Sequence, residues 1–197
     1  MGRMVKQTES DGTVKAYVYD ENGNRIKFFL LRDGVQEMSL TYVYDRLNRL
    51  VEMGSNNMTV VKYSYDVNGN RTMVQYPQTN IYTGYLYNKA NLVAEVDNYV
   101  GSQNTTYLVY SYLMDGNLYD VQDIDGSALA YRYDTMGRVF EDEDMREGGY
   151  DKEYTFDRFG NRATMLVMDE NYDDQYEVTY AYDLNNRLLT ETKEDIA

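Results

Sequence analysis

The sequence predicts an all-β fold: an antiparallel meander of about eight two-stranded repeats that forms a curved or spiralling sheet. Two observations carry this prediction. An aromatic pair, Tyr-x-Tyr and once Tyr-x-Phe, occurs eight times along the 197 residues, at intervals of 21 to 26 residues. Each pair is followed at a fixed distance by Gly or Asn. Self-similarity at a fixed period indicates that one supersecondary unit is repeated along the chain.

Each copy of the motif consists of the aromatic pair, an Asp directly after it, and a Gly or Asn three residues further on. The fourth copy has Asn88 in place of this Asp, and the fifth has Leu113. We expect these residues to be structural. In chain order they are Tyr17, Tyr19, Asp20, Gly23, Tyr42, Tyr44, Asp45, Asn48, Tyr63, Tyr65, Asp66, Gly69, Tyr85, Tyr87, Asn91, Tyr110, Tyr112, Gly116, Tyr131, Tyr133, Asp134, Gly137, Tyr154, Phe156, Asp157, Gly160, Tyr180, Tyr182, Asp183 and Asn186.

The aromatic pairs predict strands. Residues i and i+2 of a strand point to the same face, so each pair places two rings side by side on one side of a sheet. Aromatic side chains favour strands because they pack against cross-strand neighbours. The pairs do not recur at the i, i+3, i+4 spacing of an amphipathic helix.

The end of the motif predicts a tight turn. In Asp20-Glu-Asn-Gly23 the Asp stands at the first position of a type I turn, where its carboxylate can accept a nearby backbone N–H. The fourth position needs a positive φ and forms a bulge, which suits Gly. Asn is the best substitute for Gly there, and it is the only substitute among the eight copies.

A return strand follows each turn, as in Arg25 to Arg32, Arg71 to Tyr76 and Arg162 to Met168. Looser Gly- and Asn-containing reversals at the opposite end give about sixteen strands in total, paired neighbour to neighbour. The turns alternate between a Gly-Asn form, as in Gly69-Asn70, and a form that runs into Arg-Leu or a relative, as in Asn48-Arg49-Leu50. Two successive repeats therefore form the larger unit.

The composition excludes several kinds of function. The net charge of −14 lies in residues 99–197, which hold 8 basic and 22 acidic residues, whereas residues 1–98 hold 11 of each. Such a surface is a poor partner for nucleic acid, whose binding rests on Lys and Arg. Without His or Cys the chain lacks the usual general base and the thiolate ligands of metals. We expect no catalytic residue, cofactor or metal, and no membrane span or signal peptide.

Some acidic clusters resemble functional sites. Asp20–Asn24, Asp66–Asn70 and Asp123–Ser127 resemble calcium loops, but the twelfth residues counted from Asp20 and Asp66 are Leu31 and Pro77, where a helix-loop-helix calcium site needs Glu. Turn chemistry explains these residues without a metal.

The acidic runs at 141–144 and 169–174 are predicted to lie at reversals between strands, as solvated loop tips and not as a catalytic carboxylate pair. A set of arginines follows the turns, and we expect each to pair with the motif Asp of its own or the adjacent repeat. These arginines are Arg25, Arg49, Arg71, Arg138, Arg162 and Arg187.

The motif resembles the YD-repeat, or Rhs-repeat, family, whose double-length consensus carries Tyr-Asp-x-x-Gly-Arg-Leu and Tyr-x-Tyr-Asp-x-x-Gly-Asn-Arg. Tyr65-Asp66-Val-Asn-Gly69-Asn-Arg71 and Tyr133-Asp134-Thr-Met-Gly137-Arg-Val139 match it closely, and the resemblance covers nearly all of the chain. Members include bacterial Rhs and wall-associated toxins, the cocoon-forming components of insecticidal toxin complexes, and the animal teneurins.

The resemblance implies that residues 1–197 form a single repeat array, cut from a longer chain, and that the array is a non-enzymatic scaffold in the wall of a hollow shell. It also implies a secreted or surface-exposed bacterial parent protein, with the rest of that chain and an encapsulated toxin domain as partners. The self-cleaving core terminus of the family is missing from this sequence.

Two alternatives remain at this stage. Rows of exposed tyrosines could stack on sugars, which would make the chain a carbohydrate-binding or adhesion module with a glycan as its partner; against this, the chain has no Trp. An enzyme is the weakest reading. Because repeat stacks need capping units, we also expect the terminal strands to fray or to associate edge to edge.

Overall fold

The computed structural model describes residues 2–126, 128–169, 171 and 175–196. Within these residues it contains strands and turns but no helix, and so no helix that could span a membrane. The strands are β1 (Lys6–Thr8), β2 (Val14–Tyr19), β3 (Arg25–Arg32), β4 (Val35–Tyr44), β5 (Leu50–Ser55), β6 (Met58–Tyr65), β7 (Arg71–Tyr76), β8 (Ile81–Tyr87), β9 (Val93–Val100), β10 (Gln103–Tyr112), β11 (Leu118–Gln122), β12 (Ala128–Tyr133), β13 (Val139–Asp144), β14 (Tyr150–Phe156), β15 (Arg162–Asp169), β16 (Gln175–Tyr182) and β17 (Leu188–Ile196).

The chain divides into two compact units, Met1–Thr106 and Tyr107–Ala197. In the first unit each strand from β1 to β9 pairs antiparallel with the next. In the second unit the same holds from the end of β10 to β17. The predicted all-β antiparallel meander is therefore confirmed.

Every aromatic pair lies at the end of an even-numbered strand, and every return strand is the odd-numbered strand after it. The bounds of β3 and β7 are those that the sequence predicts, and β15 runs one residue further, to Asp169. The described residues contain one strand more than the predicted sixteen, because the short β1 adds to the edge of β2. At the second aromatic of each pair the register shifts by one residue, as a bulge after a tight turn requires.

All sixteen aromatic residues of the pairs are half-buried, whereas the residue between them is exposed in six of the eight copies. The side of the sheet that carries the pairs, named the tyrosine face here, therefore holds most of the packing. The cross-strand partners of the first aromatic are in chain order Phe28, Met53, Val74, Val96, Val121, Asp142, Met165 and Glu191.

The core is thin. Among the described residues only six apolar side chains are buried, and four of them, Val61, Val74, Val167 and Val178, lie on the tyrosine face. Val61 and Val178 stand two residues before the first Tyr of their aromatic pairs. Because so little apolar area is buried, stability depends on what joins each repeat to the next.

The placement of the first acidic run at a reversal was wrong. Glu141 to Asp144 lie inside β13. Alternation along the strand sends Glu141 and Glu143 to the side of Arg132, at 3.4 and 2.6 Å, and Asp142 to the tyrosine face. The second run begins with Asp169 at the end of β15, but residues 170 and 172–174 lie outside the described residues, as does residue 127 of the third calcium-like loop.

Candidate functional site: the interlocked turns

Each motif turn is closed by its Asp. In the first copy the Asp20 N–H donates to the Asn24 carbonyl at 2.9 Å and the Gly23 N–H donates to the Asp20 carbonyl at 3.1 Å. Oδ1 of Asp20 accepts the Asn24 N–H at 2.7 Å. The same arrangement recurs at Asp45, Asp66, Asp134, Asp157 and Asp183.

These hydrogen bonds stabilise the charged form of the carboxylates. In Asp20, Asp66 and Asp157 the side-chain amide of the turn Asn is the main cause of a lowered pKa. In the other three, Asp45, Asp134 and Asp183, the main cause of a lowered pKa is the backbone N–H of the following Arg. Donors that bind a carboxylate favour its ionised form.

The two atypical copies show what the Asp contributes. Oδ1 of Asn88 accepts the Leu92 N–H at 3.0 Å, so an amide can serve in place of the carboxylate. Leu113 keeps the two backbone hydrogen bonds of the turn but has no side-chain acceptor, and Asp115 accepts the Asn117 N–H at 3.0 Å instead.

The Gly or Asn of the turn has a positive φ in all eight copies. It lies between 77° and 93° at Gly23, Gly69, Gly116, Gly137 and Gly160. It is 59° or 60° at Asn48, Asn91 and Asn186. Asn therefore stands where the backbone takes the left-handed conformation, which few other side chains tolerate.

These three Asn residues also connect repeats. The Asn48 carbonyl oxygen Oδ1 accepts the side-chain amide of Asn24 from the preceding turn at 2.8 Å. Asn91 accepts that of Asn70 at 2.8 Å, and Asn186 accepts that of Asn161 at 3.0 Å. We call this contact the amide link.

A second contact joins a turn of the Arg form to the repeat after it. Nε of Arg49 donates to Oδ2 of Asp45 at 2.7 Å, Nη1 donates to the Asp66 carbonyl at 3.1 Å, and the guanidinium lies 4.6 Å from the Tyr65 ring centre. Arg138 likewise binds Asp134 and lies 4.2 Å from the Phe156 ring centre. We call this contact the arginine link. Amide and arginine links alternate over the first four copies and again from the sixth to the eighth, which accounts for the two-repeat period there; Leu92 and Gly137 replace the Arg and the Asn that the two intervening links would need.

The second Tyr of a pair reaches back to the backbone of the preceding repeat. The Tyr65 hydroxyl donates to the Leu50 carbonyl at 2.8 Å, and Tyr133 donates to the Leu118 carbonyl at 2.8 Å. Tyr44 and Tyr87 do the same with Arg25 and Arg71, at 3.1 and 2.9 Å. Burial raises the pKa of the hydroxyls of Tyr44, Tyr87, Tyr112 and Tyr133.

The prediction that all six post-turn arginines pair with a motif Asp is right for Arg49, Arg138 and Arg187. It is wrong for the other three. In turns of the Gly-Asn form the extra Asn takes the second carboxylate oxygen, as Asn24 does at 3.0 Å. The Arg then falls one residue later, on the tyrosine face.

On the tyrosine face, these three arginines lie over the rings of motif tyrosines. Arg25 lies 4.8 Å from the ring centre of Tyr42 and donates to its hydroxyl at 3.2 Å. Arg162 lies 4.2 Å from the ring centre of Tyr154, and Arg71 lies between Tyr63 and Tyr85 at 5.8 and 5.6 Å. These rings therefore pack against arginines as well as against neighbouring strands. Each such cation–π contact contributes about 0.5–1 kcal/mol to stability.

The turn carboxylates make structural contacts. In the turns of the first and third copies the carboxylate of Asp20 or Asp66 is occupied by N–H donors of its own loop. Across the described ranges no three Asp or Glu side chains come together as a metal-binding group. Sequence reasoning identified the turns but missed both links, although the alternation of turn forms was the signal for them.

Comparison with known proteins gives a structural likeness only. No family model and no curated protein matches the sequence. Forty-nine chains of solved structures match the fold. A crystal structure of TcdB2-TccC3 gives a TM-score of 0.77 at 14% identity, covering 92% of this chain and 10% of that chain. The Photorhabdus luminescens Tc holotoxin pore gives 0.76 at 14%, with the same coverage.

A TcdB2-TccC3 structure without its hypervariable C-terminal region gives a TM-score of 0.75 at 13% identity, again over 92% of this chain and 10% of that chain. This chain therefore spans about a tenth of the length of the chains that it resembles. It is similar in fold to a segment of these Tc toxin structures.

Proposed function

We propose that this chain is a non-enzymatic scaffold, a wall segment of a YD- or Rhs-type shell that encloses a toxin or other cargo domain of a secreted or surface-exposed bacterial protein. The observation that carries the proposal is the pair of links, which join five of the eight turns to the next repeat at one end of the strands. The side chains that form these links bind the neighbouring repeat.

The energetics favour the same role. A single hydrogen bond contributes about 0.5–1.5 kcal/mol net, so one link is weak. Repetition makes the sum large in an array whose stability is set by neighbour-to-neighbour contacts. With only six buried apolar side chains in the described residues, each repeat depends on the repeats beside it. Such an array suits an extended wall and not an isolated catalytic domain.

The structural likeness to TcdB2-TccC3 supports the proposal of a segment of a longer repeat chain. The likeness covers 92% of this chain and 10% of a TcdB2-TccC3 chain, as expected for a piece of a long repeat array. On this proposal residues 1–197 are one array within a longer chain, and its partners are the rest of that chain and an enclosed domain. Against the alternative of a carbohydrate-binding module, Arg25 and Arg162 lie over the rings of Tyr42 and Tyr154, which would hinder stacking on a sugar there.

The test uses the full-length product of the parent gene. It is digested with a protease, and cleavage of the sequence outside the repeats is followed in the native protein and in a variant with both kinds of link broken, Arg49→Gln with Asn70→Ala. We expect protection in the native protein, faster cleavage in the variant, and no change in the control Asn57→Gly.

If the sequence outside the repeats is cleaved at the same rate in the intact protein as in isolation, the proposal that the shell encloses it is wrong. A glycan array serves as the second arm: binding that disappears when tyrosines of the pairs are replaced would favour the carbohydrate-binding module instead.

A further inference from the structure

Two charged residues on neighbouring strands, Asp142 and Lys152, occupy positions of the tyrosine face that are apolar in most copies; Lys15 and Glu191 are the charged residues at these positions in other copies. Asp142 stands opposite Tyr131, where six of the eight copies place Phe, Met or Val. Lys152 stands two residues before Tyr154, the position of the buried Val61 and Val178 in their copies. Charges placed on a packing face cost free energy unless they are paired. A pair of such replacements on neighbouring strands indicates a local role that packing does not explain.

The two charges belong to one network. Nζ of Lys152 lies 3.4 Å from Oδ1 of Asp142, and the Tyr154 hydroxyl donates to Oδ2 of Asp142 at 2.6 Å. Burial, and then the bond to Asp142, raise the pKa of the Tyr154 hydroxyl. Asp142 thus accepts one strong hydrogen bond and one long one. The Lys152 ammonium, with three N–H donors, keeps capacity for a further acceptor.

A recess of about 380 Å³ opens beside this network, within the second unit. Its lining includes Asp144, Tyr150, Lys152, Val167, Tyr176 and Lys193. Ligand sites of proteins have volumes of roughly 300–1,000 Å³ and combine apolar walls with a few polar groups.

The apolar part of the recess is Val167, which is 2% exposed, together with the Tyr150 and Tyr176 rings. Lys193 lies 3.5 Å from the Tyr176 ring centre, and its contact with Asp195 is long, at 3.9 Å.

The rim of the recess is fixed by a tight turn between β13 and β14. A Cβ on Gly149 would lie 2.1 Å from the Asp144 carbonyl and 2.8 Å from that of Arg146, so only Gly fits. Nε of Arg146 donates to the Asp144 carboxylate at 2.7 Å, and the Asp144 N–H donates to Oδ1 of Asp151 at 2.9 Å. Asp144 is therefore already satisfied, and the cations left to meet a ligand are Lys152 and Lys193.

We propose that this recess binds an organic carboxylate with a ring, either a free acid or the C-terminal residue of a peptide. The carboxylate lies against the ammonium groups of Lys152 and Lys193, and the ring packs on the rings of Tyr150 and Tyr176, above Val167. The nearby Asp142 and Asp144 disfavour multivalent anions, and a single carboxylate competes with Asp142 and Asp195 for the ammonium groups of the two lysines. This site goes beyond the scaffold role and does not depend on it.

The experiment is an NMR titration of the 197-residue chain with phenylacetate, and with phenylacetamide as the neutral match. We expect saturable chemical-shift changes at Val167 and Tyr176 with phenylacetate and none with phenylacetamide. Lys193→Gln is expected to weaken binding about tenfold, because a charge-assisted hydrogen bond is lost. Lys62→Gln, on an exposed lysine 3.8 Å from Glu52, is the matched control and should change nothing.

Asp142→Asn separates a ligand site from a purely structural ion pair. It frees Lys152, so we expect it to tighten phenylacetate binding several-fold even if the fold is less stable. N-acetyl-phenylalanine is titrated in parallel, and tighter binding than phenylacetate identifies a peptide terminus as the source. Equal shifts with acid and amide, or affinity unchanged by both Lys193→Gln and Asp142→Asn, would overturn the proposal.

Discussion

The side-chain amide of Asn70 donates to the side-chain carbonyl of Asn91, which belongs to the next repeat, at 2.8 Å. Asn91 has a φ of 60°, so a single residue provides both the left-handed turn and the acceptor of the link. Asn68 adds a second amide to the same oxygen at 3.0 Å. Gly would satisfy the backbone but not the link, which makes the two roles separable.

Asn91→Gly therefore isolates the amide link. The substitution keeps a residue that favours positive φ and removes the acceptor of two amides, so we expect a loss of about 0.5–1.5 kcal/mol in the free energy of unfolding, measured with urea. Asn57→Gly is the control, since Asn57 has a φ of 66° and lies in the β5–β6 reversal, away from the links. Equal effects of the two substitutions would contradict the link.

Arg49→Gln is expected to destabilise the first unit by about 1–2 kcal/mol, because Arg49 contacts Asp45, the Asp66 carbonyl and the Tyr65 ring. Arg187→Gln is its match in the second unit. Arg187 binds Asp183 at the same 2.7 Å, but its side chain is 76% exposed. We expect the loss there to be below about 0.5 kcal/mol, as for surface ion pairs. Urea unfolding of both variants measures the difference, and similar losses would show that Arg49 acts only through Asp45.

Acid should weaken the turns. The pKa of Asp66 and of the other motif Asp residues is lowered in the folded state, so their contribution to stability is present above the unfolded pKa of about 3.9 and is lost as the pH falls through the folded pKa. Glu141 has a raised pKa, from burial and from Glu143, and its effect has the opposite sign.

Asp66→Asn tests this reasoning. The amide keeps an acceptor, as the natural Asn88 does, but it does not titrate. Urea midpoints between pH 6 and pH 3 should fall less steeply in the variant than in the native chain. An identical slope in both proteins would mean that the Asp66 carboxylate does not contribute to the acid dependence of stability.

The hydroxyl of the second Tyr gives a two-way test. Tyr65→Phe removes the donor to the Leu50 carbonyl and should cost about 0.5–1.5 kcal/mol. The seventh copy naturally has Phe156 at this position, with a half-buried ring under Arg138. Phe156→Tyr should then supply the missing donor and raise the urea midpoint. A lower midpoint for Phe156→Tyr would show that the ring edge has no free acceptor.

The sequence predicted the strands and turns because both follow from local rules. Ring pairs at i and i+2 favour a strand, and positive φ restricts a turn position to Gly or Asn, as Gly69 and Asn91 show. The links were not predictable in the same way, because register decides which turns face each other. Asp142 shows the limit clearly: within an acidic run it looks like a loop residue, and only its pairing with Tyr131 places it on the packing face.

β17 is an exposed strand at the edge of the second unit. It pairs with β16 along its length, all nine of its residues are exposed, and its other edge meets no strand among the described residues of the second unit. Unpaired N–H and C=O groups on such an edge can template pairing with another chain. Repulsion between copies opposes this, since residues 99–197 carry 22 acidic and 8 basic side chains. Because salt screens that repulsion, association should increase with ionic strength.

Sedimentation velocity at low and high salt measures this association, and hydrogen exchange measures fraying. We expect a dimer or larger species at high salt, and weaker amide protection in β1 and β17 than in β6 and β7, which contain the buried Val61 and Val74. Adding a further negative charge to the edge, as in Thr192→Glu, should reduce association without changing the protection of β6. Strict monomers at all salt concentrations, with equal protection in the outer and inner strands, would instead mean that the edges are covered within the chain itself.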